Sequence, residues 1–144
     1  MPVNNDVLIA KAILNHLNAW PDKPCNIRLE TMDKAPIVFS MSMQQLSGTR
    51  VLKSYINGSF IGAWPFAVYV RFGNADTAKR FDAVSYLEAL GLWMGEAALP
   101  SLGESRVADS IEMTSLPAIA AQYEDGGVDY QAIFQLTYTQ KRSV

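Results

Sequence analysis

The chain has 144 residues, the length of a single domain. Hydrophobic residues make up 49% and charged residues 18%, which fits a globular core and argues against disorder. The net charge of −2 leaves no basic surplus to neutralise many phosphates, so sequence-specific or duplex DNA binding is disfavoured as a primary role.

Residues 5–20 read as an amphipathic helix. Asn4 or Asn5 can cap it, and Asp6 suits its positive N-terminal dipole. Ile9, Ile13, Leu17 and Trp20 recur at helical spacing, and Pro21 ends the ladder. Residues 25–30 fit a short strand. In residues 36–44, Ile37, Phe39, Met41 and Met43 alternate with Ser40, Ser42 and Gln44; a methionine stripe can mark an adaptable binding surface, but at period 2 in a strand it is more often core.

Residues 50–72 form a hairpin around Asn57-Gly58, a pair suited to a type I′ turn because both central residues need positive φ. In the second arm Trp64, Phe66, Val68, Val70 and Phe72 share one face and need a core to cover them. Gly62 and Pro65 read as a bulge or bend there, which makes the outer hairpin a protrusion.

A second helix spans about 75–98, capped by Asn74. Ala83, Leu87, Leu90 and Met94 form its buried face, widened by Phe81, Val84 and Trp93; Gly91 and Gly95 mark candidate ends. The last third is β. A strand over 106–115 breaks at Pro117 and resumes over 118–123. Glu124-Asp125-Gly126-Gly127 turns the chain, and 129–140 alternates cleanly, with Tyr130, Ala132, Phe134, Leu136 and Tyr138 on one face. Residues 141–144 are a short basic tail.

Order and turn chemistry give an α+β fold: a single domain, 1–144, with a mainly antiparallel sheet, two helices packed on one face and a protruding β-hairpin. The opposite face, lined by Gln, Thr and Ser, looks to solvent or to another subunit.

Chemistry is sparse. One Cys and one His cannot supply a zinc site, and no phosphate loop or nucleophile elbow appears. Glu124, Asp125 and Asp129 lack the spacing of an EF-hand loop and read as turn formers. Cys25 reads as a small buried hydrophobe and His16 as an ordinary histidine beside the helix stripe. The expectation is a protein that is not an enzyme and has no catalytic residues, cofactor or metal. The start lacks a basic n-region, and no stretch approaches the ~18 apolar residues of a membrane span. The sequence thus leads us to expect a soluble protein from a reducing compartment, without a membrane partner.

Three stretches carry a family likeness. The first is Lys53-Ser54-Tyr55-Ile56-Asn57-Gly58-Ser59 running on to Trp64-Pro65-Phe66-Ala67-Val68-Tyr69-Val70-Arg71. The second is Leu87-Glu88-Ala89-Leu90-Gly91-Leu92-Trp93-Met94. The third is Ile111-Glu112-Met113-Thr114-Ser115-Leu116-Pro117, then Tyr123-Glu124-Asp125-Gly126-Gly127-Val128-Asp129-Tyr130-Gln131-Ala132 and Leu136-Thr137-Tyr138. Together they resemble a family of small tailed-phage minor capsid proteins similar to tail terminators. The resemblance implies a virion protein of the tail or neck, assembled in the host cytoplasm. Such proteins form rings, typically hexameric, that cap the tail tube, stop its polymerisation and offer a surface to the head-side connector. The implied partners are further copies of the chain, the major tail tube protein and the connector, with DNA passing through the ring.

The resemblance assigns no interface residues. Exposure physics points to the hairpin tip (Tyr55, Asn57, Gly58, Phe60, Ile61 and Trp64) and to the loop holding Glu124 and Asp125. For Trp64 the competing reading is core. Two alternatives to a terminator remain: another head-to-tail connector or neck completion protein, and a small α+β ligand-binding domain or enzyme.

Overall fold

The computed structural model describes residues 8–29, 39–48, 51–73, 76–124 and 126–141. In chain order the elements are α1 (Ile9–Asn18), β1 (Ile27–Leu29), β2 (Phe39–Gln45), β3 (Val51–Ser54), β4 (Phe60–Phe72), α2 (Thr77–Glu96), β5 (Arg106–Gln122) and β6 (Val128–Gln140). The fold is α+β: two helices and a six-stranded sheet in the order β1-β2-β4-β6-β5, with β3 paired to β4 beyond the end of β2. All pairings are antiparallel except β1 with β2.

The alternation expected for β4 and β6 holds. Phe66, Val68, Val70, Ala132, Phe134 and Leu136 are buried on one face, and Phe66 stacks on Phe134 with centroids 5.5 Å apart. Ile13 and Leu17 of α1 and Ala83, Leu87, Leu90 and Met94 of α2 complete the same core. Each large side chain in it stabilises the fold by roughly 1.5–3 kcal/mol relative to exposure. Met41 and Met43 are core residues, as their period-2 spacing predicts.

Several local expectations change. The N-caps expected at Asn4 or Asn5, and at Asn74, lie outside the described residues, as does Ile37. Asp76 caps α2 instead, its carboxylate accepting from the Lys79 N–H at 2.9 Å. Gly91 and Gly95 do not end α2. A Cβ on Gly91 would lie 2.6 Å from the Met113 methyl, so this glycine lets the helix approach β5. Phe81 does not widen the buried face; it is 71% exposed, as Leu92 is 70%. Asn18 links the first helix to the first strand. Its amide accepts from the Ile27 N–H (2.9 Å) and donates to the Ile27 carbonyl (3.0 Å), fastening β1 to α1.

Gly62 and Pro65 make no bulge against β6, because the β4–β6 register is unbroken from Phe60↔Gln140 to Phe72↔Val128. Gly62 instead seats the Tyr138 ring, which a Cβ would meet at 2.5 Å. The Pro65 carbonyl accepts from the Leu46 N–H on the β2 side. In an antiparallel strand a residue's N and O point the same way, so the donor that proline lacks faces the gap between β2 and β3, not the β6 ladder. Nor does Pro117 break β5. An outermost strand needs no donor on its open side, so β5 runs through the proline, with register shifts on both sides of it.

Candidate assembly surfaces

The hairpin turn is not type I′. The Tyr55 N–H donates to the Ser59 carbonyl (2.9 Å), and the Gly58 N–H donates to the Tyr55 carbonyl (3.0 Å). Gly58 has φ 90°. This is a three-residue loop, Ile56-Asn57-Gly58, in which glycine takes the left-handed position that follows a type I turn. Asn57 serves through its side chain: Oδ1 accepts from the Ser59 N–H (3.1 Å) and the Ser59 hydroxyl (2.6 Å).

The other long hairpin, β5–β6, closes in the same way. The Tyr123 N–H donates to the Gly127 carbonyl (2.9 Å), the Gly126 N–H to the Tyr123 carbonyl (3.0 Å), and Gly126 has φ 89°. Glu124 is exposed in this loop; Asp125 lies outside the described residues.

The interface residues expected from sequence fall into two groups. The β3–β4 turn adjoins Phe60 and the β5–β6 turn adjoins Val128, at opposite ends of the thirteen-residue register shared by β4 and β6. At about 3.4 Å per residue, the two tips stand roughly 40 Å apart. Within the first group, Tyr55 is exposed and Ile56 fully so at 108%, with Leu52 and Val51 exposed beside them. Phe60 and Ile61 are half-buried, and Phe60 meets Tyr138 edge-on with centroids 6.4 Å apart. Trp64 is 8% exposed and packs on Phe66, so it belongs to the core and offers no surface anchor. Ile56, inside the outer hairpin but not among the residues singled out there, is the most exposed of this group. Its place between a β-rich arm and Asn-Gly was the available signal.

The second tip is held by a polar cluster. Arg71 Nε and Nη2 donate to the two carboxylate oxygens of Asp129 (2.6 and 2.8 Å). Arg71 Nη2 also donates to the Tyr123 hydroxyl (2.8 Å), and that hydroxyl donates to Asp129 Oδ2 (2.7 Å). The Arg71 guanidinium lies 5.0 Å from the centre of the Tyr123 ring. The hydrogen bond to Asp129 holds the Tyr123 hydroxyl above the usual phenol range, and the same carboxylate raises Arg71. Asp129 is therefore not just a turn former. The cluster ties the loop to the sheet.

The described residues include surface grooves, two of them of about 350 Å³ each. Gln45, Gly48, Trp64, Pro65 and Tyr138 line one; Met94, Leu99, Asp109 and Glu112 line the other. Among the described residues no three His, Cys, Asp or Glu groups converge as metal ligands, and no helix is long and apolar enough to cross a membrane. Cys25 is half-buried and packs against the core.

No family model matches the chain, and no curated protein matches it. A solved structure is similar to it at 12% identity over 94% of this chain and 95% of that one, with a TM-score of 0.49, a level that carries no argument about function.

Proposed function

We propose that the chain is a non-enzymatic virion subunit of a tailed phage, a tail-terminator-like protein. In this reading copies of the chain close into a ring, of the hexameric kind the resemblance implies. The ring caps the tail tube, stops its polymerisation and presents a surface to the head-side connector, and DNA passes through it. The observation that carries the reading is the placement of the two glycine-closed tips at opposite ends of one rigid strand pair. A capping ring needs contacts at both axial ends, one toward the tube and one toward the connector, besides those between neighbours. The α+β architecture is the one the sequence resemblance implies.

The space between helices and sheet supports assembly over ligand binding. It is filled by Phe66, Phe134, Leu87, Leu90 and Ile13, where a ligand-binding domain would place a pocket with convergent polar groups.

The test uses the purified full chain with and without the tail tube protein of the same phage. Light scattering and electron microscopy are expected to show rings, alone or on tube ends, and tubes of limited length. A chain that stays monomeric at high concentration and binds no tube overturns the reading.

A further inference from the structure

Among the described residues the sheet has two open edges: β5 on one side, β3 and β1 on the other. The edges differ in charge. Exposed Lys53 and Arg28 stand on β3 and β1, exposed Asp109 and Glu112 on β5, whose half-buried Arg106 donates to Gln140 Oε1 at 2.8 Å. They also differ in regularity. The second half of β5 carries Pro117 and register shifts at Ser115/Ala118 and Ile119/Ala121, which spoil an edge for pairing. Residues 106–112 carry one shift.

The register sets this usable part of β5 level with β3. Lys53 pairs with Ile61, Ile61 with Thr139, and Thr139 with Val107, so Lys53 and Val107 end one row across four strands. Asp109, two residues on, accepts from the Thr139 hydroxyl at 2.7 Å and so belongs to the same end of the sheet. Three successive antiparallel pairings make β3 and β5 run in opposite directions.

Consider copies related by rotation about an axis parallel to the strands. Strand direction is kept, so β3 of one copy meets β5 of the next in the antiparallel sense. The two segments stand at equal height. A contact with no axial offset closes on itself, whereas an offset would generate a helical filament.

We infer that neighbouring subunits join at these edges: β3 of one copy pairs antiparallel with residues 106–112 of the next, setting Lys53 opposite Val107 and diagonal to Asp109, within reach of the long lysine side chain. The sheet then continues across each subunit boundary. This rests on the ring reading above and specifies the contact within it. Exposed Val51 and Leu52 contribute apolar area on one side and exposed Val107 on the other. A second copy docked β5 to β5 about Asp109 would set that carboxylate against its own copy, which like-charge repulsion disfavours.

Two experiments test the contact. Lys53→Glu and Asp109→Lys should each raise the concentration needed for half-assembly at least tenfold, and the double variant should recover most of the loss. Separately, in a Cys25→Ser background, Lys53→Cys with Val107→Cys should give a ladder of disulfide-linked multimers under mild oxidation. Either cysteine alone should give none beyond background. Rings that form normally yet ignore both charge changes and give no ladder overturn this contact and leave the ring reading standing. Cross-linking by Val107→Cys alone overturns it in favour of β5–β5 pairing. A wild-type chain that never assembles overturns both.

Discussion

Arg71 and Asp129 are register partners across β4 and β6 and meet through two hydrogen bonds of 2.6 and 2.8 Å. They lie fifty-eight residues apart in sequence. The Asp129 carboxylate is nearly buried, and Tyr123 completes its hydrogen bonding. Removing one partner strands the other, and this costs more than the pair contributes net. Arg71→Ala should therefore destabilise the chain by about 2–3 kcal/mol, and Tyr123→Phe by about 1 kcal/mol, in urea denaturation. Equal losses for the two would show that the tyrosine contributes as much as the arginine to satisfying the carboxylate.

His16 joins the two helices by stacking on Trp93, with centroids 4.9 Å apart, and its buried Nε2 has no hydrogen-bond partner among the described residues. Burial lowers its pKa below 6.5. The unfolded chain therefore takes up this proton first as pH falls. The contribution of His16 is complete above the unfolded pKa and is lost as pH drops through it toward the folded value. The melting temperature should fall between pH 7 and pH 5.5, and His16→Phe should flatten that slope. An unchanged slope in the variant would assign the effect to other groups.

Gly62 and Tyr138 are also coupled across the sheet. Gly62→Ala should cost about 1–3 kcal/mol, because its Cβ would overlap the buried Tyr138 ring and the packed strands cannot part cheaply. In a Tyr138→Leu background the added cost should nearly vanish, as a double-mutant cycle would reveal. An undiminished cost there would mean that the backbone, not the ring, requires glycine.

The two halves of the hairpin tip should separate fold from assembly. Gly58→Val places a β-branched residue at φ 90° and should destabilise by about 1–3 kcal/mol. Ile56→Asp, at a fully exposed site, should leave denaturation within about 0.5 kcal/mol and weaken binding to tail tube or neighbouring subunits. Full assembly by Ile56→Asp would remove this tip from the interfaces. Phe60 is the poorer probe, because a charge there meets the buried Tyr138 ring.

Much of the fold was legible because it rests on local periodicity. The alternation of residues 64–72 and 130–138, and the helical spacing of Leu87, Leu90 and Met94, already identify what must be buried. Both turn sites were legible as well, since Gly58 and Gly126 stand where only glycine is comfortable. The type of turn was not. Asn57-Gly58 satisfies two geometries, and the choice depends on whether Tyr55 or Ile56 pairs across the strands.

The sequence by itself determined the core faces and the two glycine turns. Tertiary structure alone decided three things: that β5 continues past Pro117, that Arg71 finds Asp129, and that the two tips point to opposite ends. The physical reason is that burial pattern is a property of neighbours along the chain, whereas register belongs to strands brought together from distant segments. The spacing of residues 60–72 says which side chains face inward. Only pairing with residues 128–140 says which end of the sheet each tip occupies, and therefore what surface the hairpin offers.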